Sequence, residues 1–79
     1  QEHGNIIISV SKSGEIWIDR RKVSMSALRA NVERLHAENP EGSVIIASDR
    51  DARTGVLVQA LDQARLAGVA NVSIAAFTE

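Results

Sequence analysis

The sequence predicts a two-layer α+β sandwich, in which a mixed sheet of four or five strands carries two helices on one face. Three observations predict this fold class. Two stretches near the N-terminus alternate apolar and polar residues with the period of a strand, and two later stretches repeat apolar residues every three or four positions, as helices do. The last third has the pattern strand, helix, strand, so the predicted element order is β-β-α-β-α-β.

The first two predicted strands form a hairpin. Asn5 to Ser11 and Glu15 to Asp19 both alternate, and Lys12-Ser13-Gly14 between them is a turn signal. Because the link is short, we expect the two strands to be antiparallel. The basic run Arg20-Arg21-Lys22 follows, and three cations in a row next to an aspartate are typical of a solvated turn.

Two amphipathic helices are predicted next. The first is capped by Ser24 or Ser26, because a serine hydroxyl accepts a hydrogen bond from an N–H group of the first turn. The second is capped by Thr54 or Asp51 and stops at Gly68, where a helix end favours positive φ. The residues predicted to hold these helices in place are Leu28, Val32, Leu35, Leu57, Leu61 and Gly68.

Two further strands flank the second helix. Val44 to Ala47 is a continuous apolar run, which is typical of an interior strand covered on both faces, and Ser48 to Arg53 is predicted as a charged loop. Val72 to Phe77 alternates and is predicted to lie parallel to the preceding strand after a right-handed crossover. It is either an interior strand or the edge of the sheet, and as the last strand it could also be swapped between two copies.

Two helices cover only one face of such a sheet. The residues that the alternation turns toward the helices are Ile6, Ile8, Val10, Ile16, Ile18, Val72 and Ile74. The opposite face carries Ile7, Trp17, Ala75 and Phe77 among serines. Because monomers seldom expose a contiguous apolar patch, this face predicts a dimer or partner surface, unless Trp17 and Phe77 lie apart and are each half-buried.

Composition excludes several classes of function. The chain has 79 residues, no cysteine and a net charge of −1, so we expect one domain, no disulfide and no nucleic-acid partner. No apolar run reaches the length of a membrane span. Gln1 to Gly4 is expected to be a disordered remnant or linker, leaving residues 5–79 as the domain.

No catalytic pattern is present. Asp49 and Asp51 could suggest paired carboxylates, but Arg50 and Arg53 lie between and after them, which is typical of solvated surface charges. His36 is expected on the surface of the first helix. The sequence has no phosphate-binding glycine loop and no cage of oxygen ligands. We therefore expect a protein that is not an enzyme, with no cofactor and no metal site.

The chain resembles the periplasmic domain of the ExbD/TolR family over residues 6 to 77. The resemblance lies in IIASD at 45–49, ARLAGV at 64–69 and VSIA at 72–75, with a looser match of GEIWID at 14–19. It implies a homodimeric, non-catalytic module of a single-span inner-membrane protein, whose membrane helix is outside this sequence. Through that helix such proteins join an ExbB-like channel, and in the periplasm they engage a TonB-like partner.

The resemblance favours an ExbD-like role, in which proton motive force drives nutrient or siderophore uptake through the outer membrane. The alternatives are a TolR-like role, contacting TolA or peptidoglycan, and a small-ligand sensor domain. An extended partner segment could add to a free sheet edge. Asp49 lies on the family motif, although capping a helix explains an aspartate there equally well. The candidate partner or dimer residues are Asp49, Arg50, Asp51, Trp17, Val72, Ile74, Ala76 and Phe77.

Overall fold

The structure, a computed structural model, describes residues 5–77 and confirms the α+β sandwich. Residues 1–4, predicted as a remnant or linker, lie outside the described part, as do residues 78–79 and the side chain of Phe77. The elements are β1 (Ile6–Val10), β2 (Ile16–Ile18), β3 (Arg21–Val23), α1 (Met25–Glu38), β4 (Val44–Asp49), α2 (Thr54–Leu66) and β5 (Val72–Phe77).

The five strands form one mixed sheet in the order β3-β2-β1-β4-β5. The first three strands are antiparallel neighbours, whereas β1 with β4 and β4 with β5 are parallel pairs. Each parallel pair is connected through a helix, α1 or α2, because a parallel connection must return the chain to the same end of the sheet. The strand β5 is an edge strand, which decides between the two alternatives that the sequence leaves open.

The strand β3 corrects the prediction for the basic run, because only Arg20 lies in a turn and Arg21 and Lys22 belong to a strand. The turn is Asp19–Arg20, whose φ angles are 53° and 65°. Two consecutive residues at positive φ make the two-residue hairpin loop whose twist matches that of the flanking strands. Arg21–Val23 therefore folds back and pairs with β2, adding a short edge strand.

The core lies between one face of the sheet and the two helices. Alternate side chains of the strands β1, β2 and β4 point into this core. The helix α1 contributes Leu28 and Val32, which are both fully buried. The helix α2 contributes Ala60 and Ala64 at its centre, with Leu57 and Leu61 partly buried beside them. The sequence predicts a stripe of Leu57, Leu61 and Ala64 with Ala60 beside it, and the structure confirms its position, with Ala60 and Ala64 as its most buried residues.

The helix ends differ from each other. The hydroxyl of Ser24 accepts a hydrogen bond from the N–H of Ala27 at 3.3 Å, so Ser24 caps α1 as predicted. The cap position of α2 is Arg53, and no side chain bonds there, so the prediction of Thr54 or Asp51 as cap is wrong. Beyond α2, Gly68 has a φ of 98°, the conformation that its predicted role requires.

Two predictions for β4 need correction. The strand runs on through Ser48 and Asp49, which were expected in a loop. Its two faces are also unequal, because both helices pack on one side of the sheet. Val44 and Ile46 are fully buried under the helices, whereas Ile45 and Ala47 are only half-buried on the uncovered face.

Candidate functional site

The strand β5 is an open edge without a charged residue. Its six residues pair with β4 on one side only. The N–H of Val44 donates to the carbonyl of Asn71 at 2.9 Å. This hydrogen bond determines which residues of β5 direct their backbone groups toward β4 and which direct them away. Since successive N–H groups of a strand point to opposite sides, Ser73 and Ala75 face β4, and Ile74 and Ala76 turn their N–H and C=O groups outward.

The helix layer does not cover β5. Ile74 lies in register with Ile46, on the face that packs against the helices. Ile46 is 0% exposed, whereas Ile74 is 48% exposed. The alternation predicted the face correctly, but Ile74 is left half in water because no further strand or helix lies beyond it. The edge therefore offers free backbone groups and an uncovered aliphatic side chain together.

The opposite edge of the sheet is built differently. The strand β3 is three residues long, and two of them are the exposed cations Arg21 and Lys22. Lys22 also forms an ion pair with Glu15, with 3.5 Å between Nζ and Oε2. Short length and charge are the usual means by which proteins discourage strand pairing at an edge. Strand addition is therefore favoured at β5 rather than at β3.

Asp49 lies at the end of β4, in register with Phe77. Its side chain is 7% exposed, and its Oδ1 accepts a hydrogen bond from the N–H of Asp51 at 2.9 Å. Its carbonyl oxygen accepts from Ala52, also at 2.9 Å, so Asp49 organises the turn that leads into α2. Neighbouring Arg50 and Asp51 are exposed.

The uncovered face of the sheet, which we call the open face, carries one apolar row across four strands. The register aligns Trp17, Ser9, Ala47 and Ala75 in that order. Beside this row, Ile7 pairs with the half-buried Ile45. Trp17 is 40% exposed and Ile7 53%, so the most exposed bulky residues of this face lie on β1 and β2.

The candidate residues thus form two groups. Asp49, Ala76 and Phe77 come together at the carboxyl end of the parallel strands, and the rest of β5 continues along the same edge. Trp17 lies three strands away from β5, a separation of about 14 Å. A single contact surface around Trp17 and Phe77 is therefore not formed within one chain.

Ile45 was not among the sequence-predicted site residues. It lies in a continuous apolar run, which gives no alternation from which to assign a face.

Within residues 5–77, no group of three or more His, Asp or Glu side chains is arranged to hold a metal ion. The helices described by the structure are too short and too polar to cross a membrane.

Comparison with known proteins identifies relatives along the whole chain. The family model described as "Biopolymer transport protein ExbD/TolR" matches residues 1–79. The chain is 32% identical over 76 residues to "Biopolymer transport protein exbD2" of Vibrio cholerae, which covers 96% of the chain. It is 26% identical over 69 residues to "Putative biopolymer transport protein ExbD" of Synechocystis, which covers 87% of it.

The match does not extend over the full length of these relatives. The chain spans 57% of the Vibrio protein and 26% of the Synechocystis protein.

Proposed function

The chain belongs to the ExbD/TolR family of biopolymer transport proteins, and we propose that it is the periplasmic, non-catalytic domain of an ExbD-like energy transducer. Family membership supports a role in transport energised through a membrane-anchored complex. The domain's own part in that role is to bind other proteins. It is held at the inner membrane by a helix outside this sequence, in an ExbB-like channel.

The observation that carries the proposal is the free edge of β5. A TonB-like partner adds an extended segment to this edge, where its backbone bonds the outward N–H and C=O groups of Ile74 and Ala76. Alternate side chains of the added strand then cover the exposed side chain of Ile74. Backbone pairing supplies affinity, and the contact with Ile74 selects an aliphatic residue in the partner.

The open face supports the second part of the proposal, which is a homodimer. Trp17 and Ile7 are large apolar residues that the described chain leaves 40% and 53% exposed. Packing the open faces of two copies would remove both from water, and neither face carries a charge along the row from Trp17 to Ala75. The dimer leaves β5 free for its partner.

A titration followed by NMR tests the partner assignment. The isotope-labelled domain is mixed separately with a periplasmic TonB-derived peptide, a TolA-derived peptide and soluble peptidoglycan fragments. The proposal expects shifts with the TonB-derived peptide, concentrated in Val72–Phe77. A response to the TolA-derived peptide or to peptidoglycan alone would move the assignment to a TolR-like role, and silence toward all three would contradict both.

A further inference from the structure

A groove of about 490 Å³ opens at the end of the sheet where β1 begins. The strand β1 starts at Ile6, but its pairing with β2 ends at Ile8 and Ile18. Beyond that pair, the Asp19–Arg20 turn connects β2 to β3 and leaves a gap beside β1. The last turn of α1 forms the remaining wall.

Part of the groove lining is apolar. It includes Ile7 and Trp17 from the sheet and Leu35 from α1, and the first two are among the most exposed large hydrophobic residues of the described chain. The volume is in the range of about 300–1,000 Å³ that is typical of ligand sites in proteins. An aliphatic side chain of a ligand would find apolar surface on three elements here.

The charged residues of the lining favour a positively charged ligand. Asp19 and Glu38 contribute carboxylates, and Arg20 contributes one cation. The C-terminal end of α1, at Glu38, adds the equivalent of about half a negative charge from the helix dipole. Neither carboxylate takes part in an ion pair within residues 5–77, so both are available to a ligand.

We propose that this groove binds an extended peptide segment in which an arginine or lysine lies next to an aliphatic residue. The aliphatic side chain packs on Ile7 and Leu35. The cation lies over the indole of Trp17, between the carboxylates of Asp19 and Glu38, where cation–π attraction and charge act together. No described residue of β5 lines the groove, so this site is separate from the edge proposed for strand addition. It shares Ile7 and Trp17 with the open face, so peptide binding in the groove and the proposed homodimer exclude each other.

Tryptophan fluorescence tests the proposal directly, because Trp17 is the only tryptophan of the chain. The probe is the blocked peptide acetyl-Gly-Leu-Arg-Leu-Gly-amide, and its matched control carries glutamate in place of arginine. At a protein concentration where sedimentation shows only monomer, the arginine peptide is expected to change the emission of Trp17 saturably, with binding that weakens as salt is raised. The glutamate peptide is expected to bind at least fivefold more weakly.

Two variants locate the binding. Glu38→Gln is expected to weaken the arginine peptide about two- to fivefold, the range of a partly exposed ion pair. Glu33→Gln makes the same change on the same helix at a residue that does not line the groove, and should leave binding unchanged. Asp19→Asn removes the other carboxylate and should also weaken the arginine peptide. Asparagine is chosen because it tolerates the positive φ of this position. Equal binding of both peptides, an unaffected Glu38→Gln variant, or no saturable response would overturn the proposal.

Discussion

At the residue scale, the Asp19–Arg20 turn holds the most costly backbone of the described chain. Both residues have positive φ, and they are the two non-glycine residues of the described part that do. Aspartate tolerates this region because its short side chain can bond locally, whereas a left-handed arginine costs about 1–2 kcal/mol. The turn returns β3 to the sheet, and both of its residues line the groove.

The variant Arg20→Gly is therefore expected to stabilise the fold. Glycine removes the left-handed cost but increases the entropy of the unfolded chain, so we expect the free energy of unfolding to rise by about 0.5–1 kcal/mol. Urea denaturation followed by circular dichroism measures the change. Arg21→Gly, one residue later at negative φ in β3, is the control and should destabilise. A loss of stability in Arg20→Gly would contradict the account of this turn.

Asp49 shows how far a motif position predicts a role. The sequence placed it on the family pattern, and the structure gives its carboxylate a hydrogen bond within its own turn, to the N–H of Asp51. Aspartates often bond the backbone N–H two residues on, but the apolar run predicted the end of β4 at Ala47 and so did not place this turn directly after Asp49. A direct contact between Asp49 and a partner stays a prediction, and exposed Arg50 and Asp51 are the parts of this turn that a partner reaches first.

At the element scale, α2 approaches the core through small residues. Ala60 and Ala64 are fully buried, and Leu61 is only partly so, whereas Leu28 on α1 is fully buried. Small residues allow close approach, so α2 contributes less buried volume for each side chain than α1 does. The two helices should therefore respond differently to the same truncation.

Leu28→Ala is expected to lower the free energy of unfolding by about 3 kcal/mol, because it leaves a cavity in the core. Leu61→Ala is expected to cost about half as much, since part of its side chain already contacts water. Chemical denaturation of both variants measures the two losses on the same scale. If Leu61→Ala cost as much as Leu28→Ala, the packing of α2 described here would be wrong.

Most elements follow from sequence pattern, and two features do not. The strands β1 and β2, both helices and the parallel β4-α2-β5 unit were predicted from alternation, helical spacing and turn residues. The strand β3 was missed because Arg21 and Lys22 give no apolar alternation; it pairs only because the preceding turn aligns it with β2. The exposure of Ile74 was missed because alternation assigns a face, while coverage depends on how far α2 reaches over the sheet.

At the scale of the whole molecule, the open face is expected to mediate self-association. Trp17→Ala and Ile7→Ser each remove an exposed apolar side chain from that face, so both should shift a monomer–dimer equilibrium toward monomer. Sedimentation equilibrium measures the shift. Leu66→Ser is the control, because Leu66 is 58% exposed on α2, in the layer opposite to the open face. Equal effects of all three changes would rule out the open face as the interface.

The two edges of the sheet differ in length and charge. Charge and short length protect the β3 edge, and the open β5 edge has six residues without a charge. A domain that receives a partner strand therefore receives it at β5, on the side away from Trp17 and the groove. We propose that a TonB-like partner docks at this edge.

The most direct test compares Ala76→Pro with Ala76→Val in a titration with the TonB-derived peptide. Proline removes the outward N–H of residue 76 and leaves the bonds between β4 and β5 intact, whereas valine keeps that N–H. We expect both variants to fold. The Ala76→Val variant should bind the peptide as tightly as the unchanged domain, and the Ala76→Pro variant should bind it at least tenfold more weakly. Equal binding by the two variants would contradict strand addition at β5.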